Sequence, residues 1–358
     1  MTARLRSLLL ALLALLVVLP VGRLAAEETD KERLPTGIEL PIRVRVALRV
    51  LNVTEVKEIA GSARLLVEVT QRWHDPRNRF DPVAVGAARV DRVGKEAEAF
   101  LDRVWTPGLV ADNQTGEVKS RTVAVSAHAD GEVVVVERWE SDFRVALDMT
   151  AFPFDHQVLR LAFSLPRWPK QEVLLTTTEA DRRFSSVEKE VSVVDWRPTG
   201  LTFTNTETTG WNARSYSRLD VGVGLERLSA RYILRIFVPI IAVLAVSVYV
   251  LWVPGIAATD KGNMIFSALL ALAAVSFTFE ASFPGSISLN TPVAQIISLG
   301  YLYLILVLAI DSLLEARCRD PAARFHAASL EIRRHASWAL PAIMTVVSVG
   351  AVVRVLPP

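Results

Sequence analysis

Between Thr259 and Gly285 the chain reads TDKGNMIFSALLALAAVSFTFEASFPG. At about 100° per residue, Asn263, Ser267, Leu270, Ala274, Phe277 and Ala281 fall on one narrow helical face. Asp260 lies near that face one turn earlier, Lys261 points away from it, and Glu280 sits to one side near the far end. Polar residues in an apolar spanning helix face a bundle interior or water. As a packing surface, the stripe would join helices through its Asn and Ser side chains. As a water-facing surface, acidic groups at both ends would select ions, and the apolar middle would close by dewetting. Spacing alone leaves both readings open, and the acid at each end favours the second. Several copies of such a helix around an axis make a gated, cation-preferring pore.

A second chemistry-bearing stretch is MTAFPFDHQV, Met149 to Val158. Pro153 bars it from a central strand, so it is a loop tip, yet Phe152 and Phe154 give that tip an apolar surface to bury. Asp155 either caps its own turn or reaches a cation across a domain boundary. Enzymatic chemistry finds no support. The five histidines are scattered, Cys318 is the single cysteine, and no nucleophile elbow, phosphate loop or metal-ligand pair occurs. No metal or cofactor is expected, and a net charge of +2 gives no reason to expect nucleic acid.

These residues need two different solvents around them. The composition is 51% hydrophobic with a mean hydropathy of +0.33, high for a chain without membrane segments. At the start, Arg4 and Arg6 precede an apolar core from Leu8 to Leu19, then Pro20 and small residues. That order predicts a signal peptide over residues 1–26, an anchor helix being the other reading. From about residue 36 to 229 the pattern is strand-like: Ile42–Val50, Arg64–Trp73, Glu132–Val145 and Val158–Leu165 alternate, separated by Asp75-Pro76, Asp130-Gly131, Pro153 and Pro166. This predicts an all-β, immunoglobulin-like antiparallel sandwich. Residues 230–358 then carry four apolar stretches, with spans expected at about 232–254, 261–283, 290–314 and 336–356. The fold class is therefore an all-β sandwich followed by an all-α four-helix transmembrane domain. Arg317, Arg319, Arg324, Arg333 and Arg334 between the last two spans stay inside, which puts the sandwich outside.

With these features assembled, the chain resembles the pentameric ligand-gated ion channels, in particular their prokaryotic members, from about Ile42 to its end. RWHDPR (Arg72–Arg77) resembles the family's Trp-x-Asp-x-Arg, VWTPGLVADN (Val104–Asn113) its Trp-x-Pro segment, and FPFDHQ (Phe152–Gln157) the tip of its signature loop. Arg231 precedes the first span and Pro239 lies within it; Leu270 matches the pore-gate leucine and Pro284 the proline ending the pore helix. Val145 and Leu159 stand where animal receptors carry the loop cysteines, and the connection Asp311–Ser337 is short, both as in the bacterial branch.

The resemblance implies a homopentameric, ligand-gated, cation-preferring channel subunit in a bacterial inner membrane, its binding domain on the periplasmic side. Its partners would be further copies of itself, membrane lipid, permeant monovalent cations and a small extracellular ligand. Asn263, Ser267, Leu270, Ala274, Phe277 and Ala281 would line the pore, and Asp260 and Glu280 would set selectivity. Ligand-site positions fall on or near Glu68, Asp112, Trp168, Trp211 and Tyr216. Carboxylates beside aromatic faces suit a cationic amine, while Trp168, Trp211 and Tyr216 can equally be read as strand or core residues. Trp73, Trp105 and Trp196 are read as core. Phe152, Pro153, Phe154, Asp155, Arg231, Glu55 and Pro284 would couple binding to gating, with Asp155 reaching Arg231 and joined by Glu55 or Glu58. Two other readings stay open: a proton-gated channel of the same fold, acting through carboxylates or His156, and a non-conducting receptor.

Overall fold

The computed structural model describes residues 32–253, 255–283, 290–319 and 325–355. The expected signal peptide and Pro284 lie outside the described residues.

Among the described residues, the alternating sequence folds as eleven strands in two sheets. One sheet holds β1 (Ile42–Lys57), β2 (Ser62–His74), β3 (Arg89–Val93), β5 (Lys119–His128), β6 (Glu132–Arg144), β8 (Val173–Thr176) and β9 (Ser186–Val187). Its order is β3-β5-β6-β2-β1-β8, with β9 also on β1. The other runs β10 (Trp196–Thr209), β11 (Ser215–Arg227), β7 (His156–Pro169) and β4 (Val110–Ala111). The first sheet is mixed, not purely antiparallel as alternation suggests, because β8 and β9 both pair parallel to β1. Period-2 alternation fixes which side chain faces inward but not the direction of the neighbouring strand. Leu48, Leu65, Val67 and Phe143 of one sheet meet Leu159, Leu161, Phe163 and Leu219 of the other in a single core. Trp73, Trp105 and Trp196 are buried in it, as expected.

The motif RWHDPR closes the far end of β2. Asp75 caps a single 3₁₀ turn, its carboxylate accepting from the backbone N–H of Arg77 at 3.0 Å and from the Arg77 guanidinium at 2.8 Å. The β5–β6 turn lies against it. Gly131 has φ +94°, and a Cβ there would meet the Asp75 carbonyl oxygen at 2.8 Å, so glycine is required on two counts.

Four long apolar helices follow among the described residues: α1 (Ala230–Trp252), α2 (Ala258–Ser282), α3 (Pro292–Arg319) and α4 (His326–Val353). Within α1, residues Ile233–Phe237 widen into a π-helical turn just before Pro239. Proline has no N–H for the carbonyl one turn back, and the wider turn accommodates that missing bond. At Gly300 on α3 an added Cβ would stand 3.2 Å from Leu272 and 3.4 Å from Leu244, so the missing side chain lets three helices close up. The connection expected over Asp311–Ser337 is largely helical, since α3 runs on to Arg319 and α4 begins at His326. Charged residues end the apolar run there but do not end the helices.

Candidate functional site between the sandwich and the helices

The Gln157 side chain bridges the β6–β7 loop. Gln157 donates to the Asp148 carbonyl at 2.7 Å and accepts from the Asp148 N–H at 2.9 Å. In a chain without the loop cysteines, this two-way amide bond closes the loop. The Asp148 carboxylate accepts the Thr150 N–H at 3.0 Å, which holds it below the usual carboxylate range.

Phe152, at the tip, is completely buried. Its ring lies 5.3 Å from that of Tyr232 on α1 and 5.6 Å and 5.1 Å from Phe279 and Phe283 at the end of α2. Phe154 faces Phe237 at 6.5 Å, and Pro153 is buried between the two phenylalanines. The apolar tip is thus an aromatic plug seated on the helices.

Beside it lies a buried charge cluster centred on Arg227, the last residue of β11, whose side chain has no solvent exposure. Its Nε donates to Asp155 Oδ1 at 2.7 Å and its Nη2 to Asp155 Oδ2 at 3.2 Å. Its Nη1 lies 2.7 Å from Glu58 Oε1 and donates to the Tyr232 hydroxyl at 3.2 Å. The guanidinium also stacks over Trp196 at 4.1 Å and Phe152 at 4.8 Å. Burial opposes the Arg227 charge, but the bonds and charges of Asp155 and Glu58 outweigh it and hold the group above its ordinary value. Gln157 donates to the same Asp155 Oδ2 at 2.6 Å, tying the loop closure to the cluster.

This corrects the expected Asp155–Arg231 pair. Arg231 points to solvent and meets Asp195 at 3.3 Å, with side chains 60% and 40% exposed. The register explains the substitution: Glu226 pairs with His156, so the Arg227 N–H donates to the Asp155 carbonyl and its side chain turns inward beside the tip. Arg231 sits one helical turn later, facing outward. Glu55 is likewise not in the cluster; it meets Lys57 and Arg64, and Glu58 takes the place expected of it. His156 is exposed beside the buried groups.

Along α2, Lys261, Ile265, Ala268, Leu272 and Phe279 form the buried face. Asn263, Ser267, Leu270, Ala274, Phe277 and Ala281 all lie on the uncovered side, with Leu270 and Phe277 72% and 75% exposed. Asp260 and Glu280 are exposed at its two ends. Phe266 and Ala273 are uncovered too, so the open surface of this single chain is wider than the stripe.

The five expected ligand-site residues divide between sheets. Asp112 follows β4 and accepts from Ser164 at 2.5 Å, with Arg218 at 3.9 Å. Tyr216 pairs with Pro169, next to Trp168, placing these positions on the β4-β7-β11 sheet. Tyr216 is buried, its hydroxyl donating to Asn212 at 3.1 Å, whereas Trp211 at the β10–β11 hairpin tip is 93% exposed. Trp168 is half-buried and lies 5.9 Å from Trp105, against the edge of the core. Glu68 stands on β2 in the opposite sheet, gripped by Arg49 at 3.0 Å and Arg138 at 2.7 Å. Its charge is already compensated, which sequence alone does not reveal. Among the described residues no group of His, Cys, Asp and Glu is arranged to hold a metal ion.

A family model, the neurotransmitter-gated ion-channel ligand binding domain, matches residues 23–229. The chain is 26% identical over 230 residues to the acetylcholine receptor subunit beta-type unc-29 of Caenorhabditis elegans, covering 63% of this chain and 43% of that one. It is 23% identical over 251 residues to the proton-gated ion channel of Gloeobacter violaceus, covering 70% and 67%. With the glutamate-gated chloride channel of Drosophila melanogaster it shares 21% over 268 residues, 73% and 57% of the two chains. The chain spans about half the length of the first of these relatives, so likeness to them covers a part, not a whole.

Proposed function

The chain belongs to the neurotransmitter-gated ion-channel family, and on that premise we propose that it is a subunit of a ligand-gated, cation-preferring channel of the prokaryotic branch. It works as a homopentamer in a bacterial inner membrane, with residues 36–229 outside and residues 230–358 forming the channel domain. The observation that carries this reading is the seating of Phe152 on Phe279 and Phe283. It joins the sandwich directly to α2, whose other side is lined by Asn263, Ser267, Leu270, Ala274, Phe277 and Ala281.

In this reading a small ligand binds where the β10–β11 hairpin of one subunit meets its neighbour. Since Arg49 and Arg138 occupy Glu68, recognition of a cationic amine falls to Asp112 and the open face of Trp211. Displacement of the hairpin moves β11, and Arg227 at its end carries that motion to Asp155, Phe152 and α2. Leu270 closes the pore by excluding water, and Asp260 and Glu280 attract cations. A second reading, gating by protons, is favoured by the two carboxylates that share one guanidinium at Arg227.

Purified protein in a planar bilayer, scanned through acidic pH and small amines, tests this reading. Cation-selective current reduced by Glu280→Gln is the expected result. Silence under every condition, with the pentamer intact, overturns it.

A further inference from the structure

At the end of the helical bundle away from the sandwich, α2 carries two charges of opposite sign on adjacent residues, one exposed and one buried. Asp260 is exposed, and among the described residues it has no ion-pair partner. Lys261 is buried at 4% exposure, its ammonium 3.4 Å from Asp311 Oδ1 on α3. Arg333 of α4 donates to the same Oδ1 at 3.1 Å and to Glu315 at 3.3 Å. Among the described residues the cluster joins two cations to two carboxylates. Further along α4, Trp338 meets Trp252 of α1 at 4.4 Å, and the Trp252 indole donates to the Ser337 carbonyl at 2.7 Å.

A buried ammonium without a counter-ion would act on the adjacent Asp260 through a low-dielectric helix, where salt screens little. Each chain supplies one Lys261 for each Asp260, so uncompensated lysines would offset the acidic ring charge for charge. We propose that Asp311, which contributes nothing to the uncovered face of α2, is a positioning residue for ion selectivity. It holds Lys261 on the buried face and cancels its charge, and Asp260 alone then sets the potential at that mouth of the pore. This rests on the reading of α2 as the pore helix.

The test is the sodium-to-chloride permeability ratio, from reversal potentials in a sodium chloride gradient, of the full chain in planar bilayers on a Leu270→Ala background. Asp311→Asn and Asp260→Asn are each expected to lower the ratio by roughly threefold or more. Lys261→Met/Asp311→Leu, which removes the charged pair together, is expected to keep the parent ratio. A merely structural role for Asp311 would reduce current without moving the reversal potential. A shift with Asp260→Asn and none with Asp311→Asn overturns the inference while leaving the pore reading intact. No shift with Asp260→Asn, or no current in the background channel, overturns the pore reading and the inference with it. Should Asp311→Asn fail to assemble, the double variant decides, since a ratio raised above the parent would mean that Lys261 was never cancelled.

Discussion

Replacing Arg227 by Met removes the cation at the centre of the domain contact and keeps an unbranched side chain of similar length. Asp155 is 1% exposed and Glu58 has a side-chain exposure of 15%, so two carboxylates would be left facing each other with little water. Breaking a buried pair in this way costs about 3–5 kcal/mol, because the remaining charge is uncompensated. Gln157 still donates to Asp155, which places the expected loss towards the lower end of that range. Asp155→Leu alone leaves Arg227 paired with Glu58 and should cost less, about 1.5–3 kcal/mol for the lost charged hydrogen bonds. Combined, the two substitutions remove both halves of one pair, so their effects should fall short of additivity by about 1–3 kcal/mol. The assay is thermal unfolding of the detergent-solubilised protein, run beside the agonist or proton dependence of current for the same variants. Arg231→Met serves as the comparison. Its pair with Asp195 is exposed and worth about 0–1 kcal/mol, so both readouts should stay near wild type. Strict additivity of Arg227→Met and Asp155→Leu, or an Arg231→Met effect as large as that of Arg227→Met, would refute the reasoning.

Phe152→Ala empties the aromatic seat between Tyr232, Phe279 and Phe283; it should destabilise the assembly by about 3–5 kcal/mol and shift activation to higher stimulus, read as a melting curve and a dose–response curve. Under the proposed pore reading, Leu270→Ala shrinks an exposed apolar side chain in the middle of the uncovered face, so spontaneous opening should rise; unaltered activation would move the gate to Phe277. Acid should weaken the sandwich through carboxylates whose values folding lowers: Asp142, held by the Arg64 guanidinium, and Asp148, held by the Thr150 N–H. That stability is complete above the ordinary Asp value of about 3.9 and is lost as pH falls through the lower folded values. Asp142→Asn should flatten the acid limb of a stability–pH profile.

Much of this molecule is determined by the sequence acting locally. Alternation in Ile42–Val50 or Val158–Leu165 specifies strands because a half-buried pleat repeats every two residues. The uncovered stripe from Asn263 to Ala281 is visible because a helix repeats every 3.6 residues and the buried Lys261, Ile265 and Leu272 keep the complementary phase. The same period-2 count holds the signal for Arg227. Val221, Val223 and Leu225 point inward, and the next inward position is Arg227, an arginine where an apolar residue is expected. Which partners it meets there is another matter. Glu58, Asp155 and Tyr232 come from three separate segments, and only the β7–β11 register and the docking of α1 bring them to one guanidinium. The parallel pairing of β8 and β9 with β1, the two arginines around Glu68 and the Asp311 carboxylate behind Lys261 are likewise decided by tertiary contacts. Periodicity assigns each side chain to a face. The identity of what lies across that face depends on how distant segments pack, and a single chain's local pattern carries no record of it.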